Sequence, residues 1–295
     1  MATGWTTTGS LADSLDDIRS SARIVREYEG VMPQLAEKQT LGEGIGLSWQ
    51  EIKYDAITAQ AITETTELDN PQQYADSLIT ITPTVVGIET FITDRVRARI
   101  SKKGFAKMGQ GGQMAIQRLK DENGLTLFAS ATDGADPGVS ATLTSGYIAA
   151  ASANITGNTT EPGNPPIRCV LHPFQIKDLY DELVAGIGTG IVSEGVTARV
   201  FSQGFNLPVA GCEIYPDGNI DIPSSGTYAN DAIGGVFAQE WAVLVQGRAP
   251  RIVDVRNEKR GGGGNHVYHY DEYAYGIRLS NWGYRMISDA TAPSS

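Results

Sequence analysis

At 295 residues and 31.5 kDa, with 41% hydrophobic and 19% charged residues, the chain has room for one elaborated domain or two small ones, and wholesale disorder is excluded. Thirty-four Asp and Glu against 23 Lys and Arg give a net charge of -11, which excludes nucleic-acid binding through the overall field. No run of about 18 apolar residues predicts a membrane helix. The opening Met1-Ala-Thr-Gly-Trp lacks the charged start and apolar run of a secretion signal. Cys169 and Cys212 are too few for a disulfide framework, so both are expected as small buried hydrophobes in a reducing cytoplasm.

The first predicted element is a helix, from the spacing of Leu11, Leu15, Ile18, Ala22 and Val25 on one face, with Ser10 as its N-cap. Aspartates at 13, 16 and 17 and arginines at 19, 23 and 26 suit its dipole. Gly42, Gly44 and Gly46 then separate this arm from the next element. From Leu47 to Thr82 the period changes to two, with Ile52, Tyr54 and Ala56 alternating with charges and a second run at Ser77–Thr82. The expectation is a long two-stranded ribbon, which is marginal alone in water and needs a surface to lie on. Pro83 predicts a helix start, and Ile88, Ile92, Val96 and Ile100 repeat every four residues towards a stop at Asn123-Gly124. Gly104, Gly109, Gly111 and Gly112 interrupt that pattern, and interior glycines cost a helix about 1 kcal/mol each, so a kink or break is expected there. Residues 125–247 read as mixed α/β, with a helix over Pro173–Val184 and strands at Val170-Leu171, within Phe205–Tyr215 and at Trp241–Val245. Strand periodicity returns at Arg251–Arg256 and His266–Leu279 around four glycines, which predicts a hairpin.

Catalytic and cofactor motifs are weak throughout. His266-Val-Tyr-His269 with Asp271 and Glu272 is the most metal-like cluster, but residues three apart on a strand diverge, so no metal centre is expected. Gly186-Ile-Gly-Thr-Gly190 lacks the phosphate-loop spacing, and the Gly261 loop precedes a strand instead of a helix N-terminus, so no cofactor is expected either. His172, between a strand and a helix, is placed like a general base with no adjacent nucleophile; a structural role is the expectation.

Charge is patterned more sharply. The ribbon carries Glu51, Asp55, Glu64, Glu67 and Asp69, with Lys53 its single lysine. The following segment carries Arg95, Arg99, Lys103 and Lys107 at steps of four, which one helix would show as a stripe. A ribbon projecting outward does not fold back easily on its own helix. The natural partner for its acidic residues is therefore the basic helix of a neighbouring copy, where complementarity steers and registers assembly.

The order of elements, the runs Val170–Leu183 and Asn158–Pro162, and above all Asp271–Pro293 resemble the major capsid proteins of tailed bacteriophages. The resemblance implies an α+β, Hong Kong 97-like capsid fold. Its parts would be an N-arm over 1–46, an extended β-ribbon loop over 47–82, a peripheral domain with the spine helix from 83–124 and 251–295, and an α/β axial domain over 125–250. It further implies a non-enzymatic virion protein, made in the host cytoplasm, whose pentamers and hexamers enclose double-stranded DNA without reading its sequence. Portal and scaffolding proteins, and a decoration protein, are the implied partners; no membrane is involved. Gly104, Gly109, Gly111 and Gly112 are then candidates for a hinge fitting one chain to both rings. An encapsulin-like compartment shell is the alternative within the fold, and a small-ligand α/β enzyme acting through His172 or His269 the alternative outside it.

Overall fold

The computed structural model describes residues 30–44, 46–65, 71–99, 102–187, 208–259 and 262–293, and of residues 102–108 and 185–187 the backbone alone. The predicted arm helix over Leu11–Val25 lies outside the described residues. The chain begins with a short helix α1 (Met32–Leu35) and an edge strand β1 (Glu37–Thr40). The ribbon strands come next as β2 (Trp49–Tyr54) and β3 (Asp76–Ile81), paired antiparallel from Trp49 opposite Ile81 to Tyr54 opposite Asp76.

The helix predicted from Pro83 is a strand, β4 (Thr84–Thr93). Spacing of four is also a multiple of two, so Ile88 and Ile92 share a face in either geometry. What decides is composition: Thr84, Val85, Val86, Ile88, Thr90, Ile92 and Thr93 are all β-branched and stiff at χ1. Two helices come after it, α2 (Asp94–Arg99) and α3 (Lys102–Leu125). The expected break at the glycines does not occur, because α3 runs without interruption through Gly104, Gly109, Gly111 and Gly112. Gly112 has a packing reason: a Cβ there would lie 2.8 Å from the His269 imidazole, so the glycine lets the helix approach the sheet. A Cβ at Gly109 or Gly111 would meet nothing.

A helix missed by the sequence reading, α4 (Ser145–Thr156), precedes β5 (Ile167–Leu171), α5 (Pro173–Ile187) and β6 (Cys212–Pro216). Strands β5 and β6 pair in parallel, as a crossover through a helix allows. Next come β7 (Asp231–Ala238), β8 (Ala242–Asn257), β9 (Gly264–Ile277) and β10 (Gly283–Asp289). The predicted hairpin is β8 with β9.

Two four-stranded sheets result, in the orders β1-β8-β9-β4 and β10-β7-β5-β6. The expected boundary at residue 250 falls inside β8, and β10 leaves the closing hairpin to pair with β7 in the other sheet. The reason is burial. Ala242–Val245 of β8 are buried, and Met286 and Ile287 of β10 sit in the core of the second sheet. That core centres on Phe128, Phe237 and Trp241, with Phe128 stacked on Trp241 at 5.5 Å. Cys169 and Cys212 are free thiols buried in β5 and β6, and burial pushes both thiols up from the usual value.

Helix α3 lies on the first sheet through Lys120, whose Nζ donates to Gln246 Oε1 at 2.6 Å and Asp271 Oδ2 at 3.2 Å and sits over the Tyr273 ring. Leaving either partner behind would strand a buried charge.

Candidate inter-subunit surface

The root of the ribbon is bound within the chain. Ile81 packs with Val243 and Val245, flanked by Trp49, Ile79 and Ala274, and Gly276 leaves room for it, since a Cβ there would lie 2.4 Å from Ile81. Arg278 joins three elements: its Nε donates to Glu51 Oε2 at 2.9 Å, and its Nη atoms donate to Glu37 at 2.6 and 3.1 Å. The Arg278 guanidinium holds the Glu37 carboxyl below the usual carboxylate range. On the other side, Lys53 Nζ pairs with Glu161 at 2.5 Å. Glu51, expected at a subunit boundary, is thus engaged by its own chain.

Beyond the root the ribbon leaves the body. Residues 55–65 and 71–78 are all exposed, and β3 re-enters the body at Ile79. The two limbs are held side by side by Asp55 N–H donating to Ala75 O and by a reciprocal pair: Thr58 N–H donates to Gln72 Oε1 at 2.7 Å, and Gln72 Nε2 donates to Thr58 O at 2.6 Å. Ile52, Tyr54, Ile57, Ile62, Tyr74 and Leu78 are each more than half exposed. The ribbon is therefore apolar as well as acidic, a feature the charge count alone hid. Asp55 and Glu64 are exposed on it; Glu67 and Asp69 lie outside the described residues.

The basic stripe is carried by two helices. Arg95 and Arg99 are exposed on α2, while Lys103 and Lys107 belong to α3, where only backbone is described. Asp94 starts α2 and is clamped by Arg256 at 2.6 Å to each oxygen, which lowers its carboxyl below the ordinary value. Asp94 N–H also donates to Gly263 O, tying α2 to the glycine end of the β8–β9 hairpin.

The two histidines of β9 diverge, as strand geometry requires. His269 faces α3 at Gly112, and burial lowers its imidazole from the ordinary value. His266 faces the opposite way, against Phe91 at 4.5 Å and hydrogen-bonded to Glu89, and continues into a ladder with Tyr268 and Tyr270. Among the described residues no group of three His, Cys, Asp or Glu side chains is placed to hold a metal.

His172 is the N-cap of α5. Its Nδ1 accepts from Phe174 N–H at 3.2 Å, and its own N–H donates to Gln175 Oε1 at 3.0 Å, a reciprocal capping arrangement with histidine in the usual serine place. Burial lowers its imidazole, keeping Nδ1 available as an acceptor.

No family profile matches the chain, and no curated protein does. Solved structures do. The capsid of cyanophage P-SCSP1u superposes with a TM-score of 0.70 at 14% identity, covering 97% of this chain and 96% of that one. This is a phage-capsid fold. The Ralstonia phage GP4 capsid superposes at 0.69 with 12% identity over 95% and 97% of the two chains, and the cyanophage Pam1 capsid at 0.67 with 10% identity over 99% and 100%. The phage-capsid fold thus spans nearly the whole chain in its mixed α and β elements.

Proposed function

We propose that the chain is the major capsid protein of a tailed phage, assembling as pentamers and hexamers into an icosahedral shell around double-stranded DNA. The observation that carries this is the ribbon: six large apolar side chains stand exposed on a limb rooted in the body by Ile81 and Arg278. Covering each on another molecule is worth about 1 kcal/mol for a half-exposed side chain, and repetition around a closed ring multiplies the gain. The capsid fold over nearly the full length supports the same reading.

On this reading the N-arm ends before β1, which belongs to the peripheral sheet, and 47–82 is the extended loop. The sheet β1-β8-β9-β4 with α3 as spine helix is the peripheral domain. The sheet β10-β7-β5-β6 with α4 and α5 is the axial domain. The acidic ribbon lies on the Arg95–Lys107 region of a neighbouring copy, and reversing Glu64, Glu67 and Asp69 to lysine leaves folded capsomers that assemble slowly at moderate salt. Portal, scaffolding and decoration proteins are the expected partners. Negative-stain microscopy of purified protein tests the reading: closed shells holding nuclease-protected DNA support it. Shells filled with protein cargo favour a compartment, and a monodisperse monomer contradicts both.

A further inference from the structure

Gly30 to Leu35 enters the fold between helix α3 and the turn after β6, and two aspartates hold it there. Asp121, on α3, accepts Met32 N–H at its Oδ1 and the Asn219 side-chain amide at its Oδ2, both at 2.9 Å. Asp217, after β6, accepts Val31 N–H at 3.1 Å and Asn219 N–H at 2.9 Å. Both carboxyls are wholly buried, each grips one of two adjacent backbone N–H groups, and Asn219 bridges them. Gly30 has no space for a side chain, since a Cβ would fall 1.9 Å from Asp121 Cγ.

Arg168, on β5, brings a guanidinium to the same segment, donating to Leu35 O at 2.6 Å. On α3, Lys120 turns its ammonium to Asp271 and Gln246, and Arg118 pairs with Glu122. On β9, Asp271, Tyr273 and Tyr275 approach, and burial, with Asp121 next, raises the Tyr275 hydroxyl so that it stays neutral. After β6, Asp221 is exposed; α1 has no titratable side chain. Burial beside a second buried carboxyl, with Asn219 between them, disfavours the charged form of Asp217.

We propose that Asp217 holds a proton beside Asp121 and that the two side chains form a latch on the Gly30–Leu35 segment, released when that proton is lost to solvent as the pH rises. Burial first, then the Asp121 charge, push the Asp217 carboxyl up to about 7. A carboxyl raised in the latched state binds its proton more tightly there than when open. Latching is therefore complete below about pH 4, the ordinary aspartate value, and weakens through the window up to about 7. The device thus sets, by pH, whether Gly30 to Leu35 stays seated in the fold. It is independent of the shell reading and can be present or absent whatever the protein assembles into.

Hydrogen exchange of the intact protein between pH 5 and 8, corrected for intrinsic amide chemistry, tests it in the peptide spanning Val31 and Met32. One-proton linkage predicts an opening equilibrium that rises about tenfold per pH unit and levels near pH 7. Asp217→Asn removes the raised carboxyl and should flatten that slope, whereas Asp121→Asn removes only the lesser cause and should move the levelling-off to lower pH. Wild-type exchange with no residual pH dependence, or an Asp217→Asn variant that keeps the slope, overturns the proposal. If both variants fail to fold, infrared spectroscopy of the wild type decides: a protonated-carboxyl band lost between pH 5 and 8 is expected, and an unchanged spectrum refutes it.

Discussion

The glycines of α3 separate into two kinds, and alanine should affect them in opposite directions. Around Gly109 and Gly111 the space is open, so alanine costs nothing in packing and gains the helix preference of about 1 kcal/mol at each position. The double variant Gly109→Ala/Gly111→Ala should therefore be about 2 kcal/mol more stable, raising Tm by several degrees for a chain of this size. At Gly112 the new methyl would sit 2.8 Å from the His269 ring, tighter than ordinary carbon contact, and the ring lies under a helix on a buried strand. Overpacking of that kind costs about 1–3 kcal/mol, which offsets or exceeds the helix gain. Thermal and denaturant unfolding of the purified protein measures all three. If Gly109 and Gly111 are kept for compliance between fivefold and sixfold rings, the stabilised double variant should still close shells poorly. Equal stabilisation by Gly112→Ala would refute the packing argument, and normal-sized shells from the double variant would dispose of the hinge.

Arg278→Met should loosen the ribbon root without unfolding the body. Its loss strands Glu37 and Glu51, partly buried, and forfeits charge-assisted bonds worth about 1.5–3 kcal/mol each before solvent screening. Protease cleavage between residues 47 and 82 should accelerate while the rest of the chain resists; unchanged cleavage rates would contradict the root. Burial lowers the His172 imidazole below its ordinary value, so its cap contributes stability above about pH 6.5 that is lost as pH falls through the imidazole range. His172→Asn retains an acceptor for Phe174 N–H and cannot protonate. Its Tm should vary less between pH 7 and 5 than the wild type's, and an identical slope would show that His172 does not titrate there.

The ribbon, the β8–β9 hairpin and helix α5 were legible because each is local: alternation, a glycine connector and Pro173 at a helix start are read from neighbours in sequence. The capsid resemblance was legible for a different reason, the order of those elements along the chain and above all the run Asp271–Pro293. Strand β4 was misread because a period of four satisfies both helix and strand, and only its β-branched content separates them. Helix α4 was missed although Ile148, Ala151, Ser152 and Ile155 mark its buried face, because flanking turn residues dominated the window. No local signal could place β10 beside β7, or show that Glu51 belongs to Arg278, since both depend on contacts across most of the chain. The cap role of His172 was available in principle from Pro173 and Gln175, the first and third helical positions after it.

The central claim is that the outer ribbon finds its surface on another molecule. A photo-reactive residue at Ile57 or Tyr74, both exposed on the free limb, tests this directly in assembled material. The account predicts cross-linked dimers whose joined peptides include the region from Arg95 to Lys107 of the second copy. Cross-links confined to single chains would contradict it.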